Sequence, residues 1–194
     1  MYRSSKLKTI ILSICFLSII SACSLSSEKP NDLNIEVENF TYTNQENVPF
    51  GLSDLENKVW IADFIFTNCT TVCPGMTYNM VQLQSKMKEA GVDAEIVSFS
   101  VDPSIDTPEV LKEYVSKFGA DFSNWHLLTG YSDDIIQKFA KNSFLTIAQK
   151  DENSDQVIHG TAFYLIDQQG IVLTKYDGNN PDFDQIIKDI KSLE

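Results

Sequence analysis

Two cysteines separated by three residues, in Asn68-Cys69-Thr70-Thr71-Val72-Cys73-Pro74, directly follow the apolar run Val59 to Phe66. Thiolate, not thiol, is the form of cysteine that ligates soft metals and attacks disulfides, and a helix N-terminus favours it. Pro74 suits the first helical position, so a helix is expected to open at this pair. Sulfurs four positions apart can share one side of a helical turn. The pair is therefore a metal clip, a redox pair, or both. A radical-type iron–sulfur site would want a third cysteine at position 76, where Met76 stands. Structural zinc needs four ligands that this chain does not supply, whereas Cu(I) accepts two or three soft donors.

A third donor has few candidates, because the chain contains two histidines. His159 lies in Val157-Ile158-His159-Gly160-Thr161, at a loop-to-strand junction, where ligands are common. His126 falls inside an expected strand, Trp125 to Thr129, and reads as a structural residue. Asp63 interrupts the apolar run before Cys69. Buried there, its pKa would rise and it could accept a thiol proton; on a partly exposed edge it would do nothing. Met76 and Met80 offer soft thioethers, but with Leu83 and Met87 they form a helical stripe that reads as core. Asp102 and Asp106 could bind a hard cation, hold a loop or, for Asp106, cap the following helix in competition with Thr107. The structural roles are preferred, since Asp- and Pro-rich turns often start helices.

The surrounding pattern must position these groups. Leu33, Ile35 and Val37 alternate as a short strand, Phe40 to Asn57 is turn-rich, and Val59 to Phe66 is apolar enough for a strand covered on both faces. A helix through Met87 ends at Gly91. Glu95 to Val101 is the next buried strand. Thr107-Pro108 starts a helix that Gly119 stops, and Ser132 caps another carrying Ile135, Ile136 and Phe139. Ala162 to Ile166 and Ile171 to Tyr176 flank Asp167-Gln168-Gln169-Gly170 as a hairpin, before a final helix lined by Phe183, Ile186, Ile187, Ile190 and Leu193. Strands alternating with helices, then a hairpin, then a helix specify an α/β fold with a mixed central sheet flanked by helices. Two thiols at the end of the first central strand resemble the thioredoxin architecture.

Residues 1–22 read as an export signal, with Arg3, Lys6 and Lys8 before the apolar stretch Thr9 to Ile20. Ile20-Ser21-Ala22-Cys23 resembles the lipobox of bacterial lipoproteins, in which Cys23 becomes the lipid-modified N-terminus. An uncleaved anchor is the weaker reading, because the stretch is short against the roughly 20 apolar residues of a span. Residues 23–32 then form a lipid-anchored tether and residues 33–194 one domain, held on the extracytoplasmic face of the cell membrane. With Cys15 in the leader and Cys23 lipidated, the domain keeps Cys69 and Cys73. A disulfide closing so small a loop stabilises little, so the pair is for chemistry. Loss of the three leader cations takes the net charge from −12 to −15, and the domain has no arginine. That argues against nucleic-acid recognition and suits basic partners or simple solubility.

Three segments give a specific resemblance: Phe66 to Pro74, Ser100 to Pro108 (Ser-Val-Asp-Pro-Ser-Ile-Asp-Thr-Pro) and Val157 to Thr161. Over nearly the whole mature chain it resembles the Sco/SenC family of membrane-tethered, thioredoxin-fold copper proteins. Thr70 and Gly75 depart from the proline and the acid common in that family. The resemblance implies one copper ion, Cu(I) or Cu(II), on Cys69, Cys73 and His159. It further implies service to the dinuclear copper (CuA) centre of cytochrome c oxidase, with the copper-site domain of oxidase subunit II as partner. Such a chaperone need not be an enzyme. The rival is a thiol:disulfide reductase that keeps the oxidase cysteines reduced, with Cys69 and Cys73 cycling to a disulfide and Asp63 accepting a proton. A peroxidase is weaker, since no arginine is available beside the thiolate.

Overall fold

Apolar on both faces, Val59–Ile65 lies inside the sheet with every residue buried. The structure is a computed structural model that describes residues 30, 32–151 and 154–194. The expected signal segment 1–22, Cys23 and all of the expected 23–32 tether but Pro30 and Asp32 lie outside the described residues. The strands are β1 (Ile35–Glu36), β2 (Thr41–Thr43), β3 (Pro49–Gly51), β4 (Val59–Ile65), β5 (Ala94–Ser100), β6 (Trp125–Leu128), β7 (Ala148–Lys150), β8 (Val157–His159), β9 (Ala162–Ile166) and β10 (Ile171–Asp177). Among the described residues the α-helices are α1 (Cys73–Ala90), α2 (Pro108–Ser116), α3 (Asp133–Phe144) and α4 (Phe183–Lys191).

Six strands form one mixed sheet in the order β1-β10-β9-β4-β5-β6. β4, β5 and β6 run parallel, so α1 and α2 serve as the crossovers that parallel neighbours require. β9 joins β4 antiparallel, and the β9–β10 hairpin completes that side. The alternation of β4 divides the core. Val59, Ile61 and Ile65 face Met76, Met80, Leu83 and Met87 of α1, Leu111 and Val115 of α2 and Ile190 of α4. Trp60, Ala62 and Phe64 face an aromatic layer with Phe99, Phe139 and Phe144, which brings in α3. Full burial of each α1 stripe residue contributes roughly 1.5–3 kcal/mol. This is the α/β sandwich expected from the sequence.

Boundaries follow the local chemistry. Gly91 closes α1 at φ 66° and donates its amide to the Lys88 and Met87 carbonyls. The Thr107 hydroxyl accepts the Val110 amide at 3.4 Å, so Thr107 and not Asp106 caps α2. Two ribbons are absent from the sequence expectation. The turn-rich stretch before β4 contains the β2–β3 hairpin, and a second hairpin pairs β7 with β8. With three residues per strand, neither shows enough alternation to announce itself. The first strand is also shorter than expected, although Val37 beyond it is buried.

Candidate metal centre

The chain leaves β4 and turns through Phe66 to Val72 before α1 begins at Cys73, with Pro74 second in the helix. Val72 occupies the N-cap position and supplies no side-chain cap. The Cys69 sulfur does so instead, accepting the Cys73 amide at 3.4 Å. The Thr71 hydroxyl lies 3.6 Å from the same sulfur. The two thiols are therefore unequal. Burial pushes the Cys69 thiol up, but hydrogen bonding from Cys73 and Thr71 outweighs it and holds Cys69 below the usual thiol range. Cys73 has no exposed surface, and burial and then its bond to Cys69 push its thiol up.

His159 ends β8, opposite Ala148 of β7. Its Nδ1–H donates to the Gly160 carbonyl at 2.9 Å. That bond leaves a lone pair on Nε2, which lies 3.2 Å from Cys73 Sγ. Burial holds the imidazole pKa below its usual value, against the opposing effect of the Gly160 bond, so the ring is neutral and free to donate electrons. The Phe66 ring meets it edge-on at 5.5 Å between centroids. The donor atoms of Cys69, Cys73 and His159 all lie within 4.8 Å of one another.

Gly160 lies tight against this placement: a Cβ there would overlap the Thr146 hydroxyl, so Thr146 or the hairpin would have to shift. Gly160→Ala should push the hairpin outward and weaken any ligand set that includes His159 while sparing the two sulfurs. Comparing Cu(II) and Cu(I) titrations of this variant checks it: equal losses would place the strain on the cysteine loop.

The other candidates divide. His126 is held by Glu95 at 3.0 Å and stacked on Phe50, away from the thiols, as a structural histidine would be. Met76 and Met80 are fully buried core. Asp63 is fully buried on the α1 face of β4, and neither oxygen has a hydrogen-bond partner among the described residues. Burial raises its pKa to about 7, tempered by the neighbouring Ser98 hydroxyl. Asp106 accepts from the Thr67 amide (3.2 Å), the Thr67 hydroxyl (2.5 Å) and the Ser100 hydroxyl (2.6 Å), so it holds the cysteine loop. Asp102, 2% exposed, pairs with Lys150 at 3.0 Å. Lys150 carried no signal in the sequence, and Thr67 and Gly160 none beyond membership of the segments that give the family resemblance, because each acts through a contact made by folding.

Two thiols and a neutral imidazole make a soft-to-borderline donor set that fits copper in either oxidation state better than a hard cation. The same thiols, one acidic and one not, also have the asymmetry of a dithiol that attacks and resolves a disulfide.

The SCO1/SenC family model matches residues 28–194. The crystal structure of a SCO1/SenC family lipoprotein from Bacillus anthracis is similar at 56% identity and a TM-score of 0.81, covering 83% of this chain and 96% of that one. BsSco, the Bacillus subtilis protein, is 48% identical with a TM-score of 0.79 over 86% and 98% of the two chains. It is described as a member of the Sco family of cytochrome c oxidase assembly proteins, with a disulfide switch. Arabidopsis thaliana ScoI, solved with copper bound, is 28% identical with a TM-score of 0.69, covering 79% and 97%.

Proposed function

The chain belongs to the SCO1/SenC family, and on that premise we propose that it binds one copper ion through Cys69, Cys73 and His159 for assembly of the CuA centre of cytochrome c oxidase. One observation carries the ligand set: three donors from two distant parts of the chain meet within 4.8 Å, with the imidazole lone pair turned towards a thiol. Family relatives solved with copper bound support the metal. Cys69, already disposed to thiolate, takes the ion first. The Cys73 proton must leave as its sulfur coordinates, which makes uptake pH-dependent. The sulfurs suit Cu(I), and the added imidazole suits Cu(II). Copper is cargo here, and the recipient in this reading is the copper-site domain of oxidase subunit II.

The lipobox at Cys23 and the lipoprotein relative support a lipid anchor on the extracytoplasmic face. No helix among the described residues is long and apolar enough to cross a membrane.

Copper titration of the reduced domain tests the ligand set. His159→Ala should abolish or shift the sulfur-to-Cu(II) charge-transfer absorption while two-sulfur Cu(I) binding persists. His126→Ala should change neither. Loss of the Cu(II) band in His126→Ala, or its persistence in His159→Ala, would overturn the assignment.

The unequal thiols favour a second reading, reduction of a disulfide in the oxidase copper site. The Cys69 thiolate would attack it to give a mixed disulfide. Cys73, losing its proton to Asp63, would then attack the Cys69 sulfur, closing a Cys69–Cys73 disulfide and releasing the second partner sulfur as thiolate, with both partner thiolates protonated by water. That cycle needs no imidazole. In cells, His159→Ala should be defective and rescued by added copper if delivery is the task; an unimpaired His159→Ala strain would establish reduction instead.

A further inference from the structure

The donors come from two places that share no covalent frame: the loop after β4 brings the cysteines, and the β7–β8 hairpin brings the histidine 86 positions beyond Cys73. Both places are tied to one short segment. Asp106 grips the cysteine side at Thr67, two residues before Cys69, through the backbone amide and the hydroxyl. Asp102 grips the histidine side at Lys150, which pairs with Val157 in the hairpin. Each carboxylate is nearly or wholly buried. The segment between them is closed on itself: the Ile105 and Asp106 amides both donate to the Asp102 carbonyl, at 3.0 and 2.9 Å. Pro103 fixes one backbone angle of this turn. Ser100 braces both ends, its hydroxyl donating to Asp106 and accepting the Asp102 amide. The Thr129 hydroxyl ties the Asp106 carbonyl to the end of β6.

We propose that the Asp102–Asp106 turn is a two-armed clamp whose arms position the two halves of the donor set relative to each other. Neither carboxylate touches the donors. Asp106 acts through Thr67 on the cysteine loop, and Asp102 acts through Lys150 on the hairpin that ends in His159. Apart from the Cys73–His159 contact itself, the halves are also joined by a bond from Gln156 Nε2 to the Asn68 carbonyl at 3.3 Å, which is exposed and open to competition from water. A partner beyond the ligands commonly governs metal affinity by a factor of about 10–100. The clamp rests on the copper reading for its purpose, though its geometry can be read without metal.

The arms have separable effects. Lys150→Met should loosen the hairpin end that carries His159, weaken the nuclear Overhauser contact between the Phe66 and His159 rings in the metal-free reduced protein, and weaken Cu(II) binding by about 10-fold. Cu(I) binding by the two sulfurs should stay unchanged. Lys150→Arg, which keeps a cation within reach of Asp102, should restore both the contact and the Cu(II) affinity. Asp106→Asn loses acceptor capacity at Thr67 and should weaken Cu(I) and Cu(II) alike. A Lys150→Met protein that keeps the ring contact and wild-type Cu(II) affinity overturns the clamp, as does an Asp106→Asn protein that loses Cu(II) alone. If Lys150→Met fails to fold, Lys150→Gln takes its place with the same readouts. His159→Ala serves as the control: a Cu(II) band unaffected by it would refute the ligand set, while the metal-free ring contact still decides the clamp.

Discussion

Copper at a thousandfold excess over its Kd should stabilise the reduced domain by about 4 kcal/mol, because a ligand confined to the folded state shifts the equilibrium by RT ln(1+[L]/Kd). For a domain of this size that is on the order of 10 °C in Tm. The oxidised domain, with Cys69 and Cys73 joined, has lost two of its three donors and should melt at the same temperature with or without copper. Residual binding by the local Cys69–Cys73 pair in the unfolded chain would reduce the shift without abolishing it. Thermal melts followed by circular dichroism, with and without reductant, make the comparison. Equal shifts in both redox forms would remove the cysteines from the site.

Asp63→Asn should stabilise the protein at pH 8 and leave it nearly unchanged at pH 4. In the folded state the carboxyl titrates at about 7, while in the unfolded chain it titrates at about 3.9. Between those values the folded state holds the extra proton, so stability falls as pH rises through the window and levels off above it. A shift of about three units corresponds to roughly 4 kcal/mol. His159 works in the opposite sense: its depressed pKa makes stability rise as pH climbs towards the ordinary imidazole range. The difference between wild type and variant isolates Asp63. Urea denaturation at both pH values reads it, and a pH-independent difference would mean that Asp63 ionises as freely folded as unfolded. If disulfide reduction is the function, the same variant should also slow exchange by Cys73.

Much of this architecture is legible in the sequence because it depends on local signals. The continuous apolarity of Val59 to Phe66 marks a central strand, Thr107-Pro108 a helix start and Gly91 a helix stop, and each acts within a few residues of itself. The cysteine spacing with Pro74 marks a helix-opening thiol pair for the same reason. The histidine hairpin left no comparable trace, because β7 and β8 are three residues each and owe their pairing to Ala148 and Val157 packing into the core. Lys150 looks like any solvated cation until folding carries it to Asp102. Asp106 competes with Thr107 for one helix cap on sequence grounds, and burial beneath Thr67 and Ser100 decides against it. Asp63 was ambiguous because an acid in a strand can face either way; its register opposite Ser98 on β5 puts it inside.

The two sulfurs lie four positions apart, whereas the imidazole comes from a separate hairpin far along the chain, so the donors differ in when they exist as well as where. Closing so short a loop costs little chain entropy, and the cysteines can find each other in a chain that has barely begun to fold. The Cys73–His159 contact spans 86 positions and waits for β4, β9 and the hairpin to dock, which makes it a late event on the folding path. An oxidant that meets the emerging polypeptide therefore finds a competent dithiol before the third donor is in place. A chain oxidised before that docking would carry a Cys69–Cys73 disulfide in place of two thiol donors, and would need reduction before all three donors could meet one metal ion.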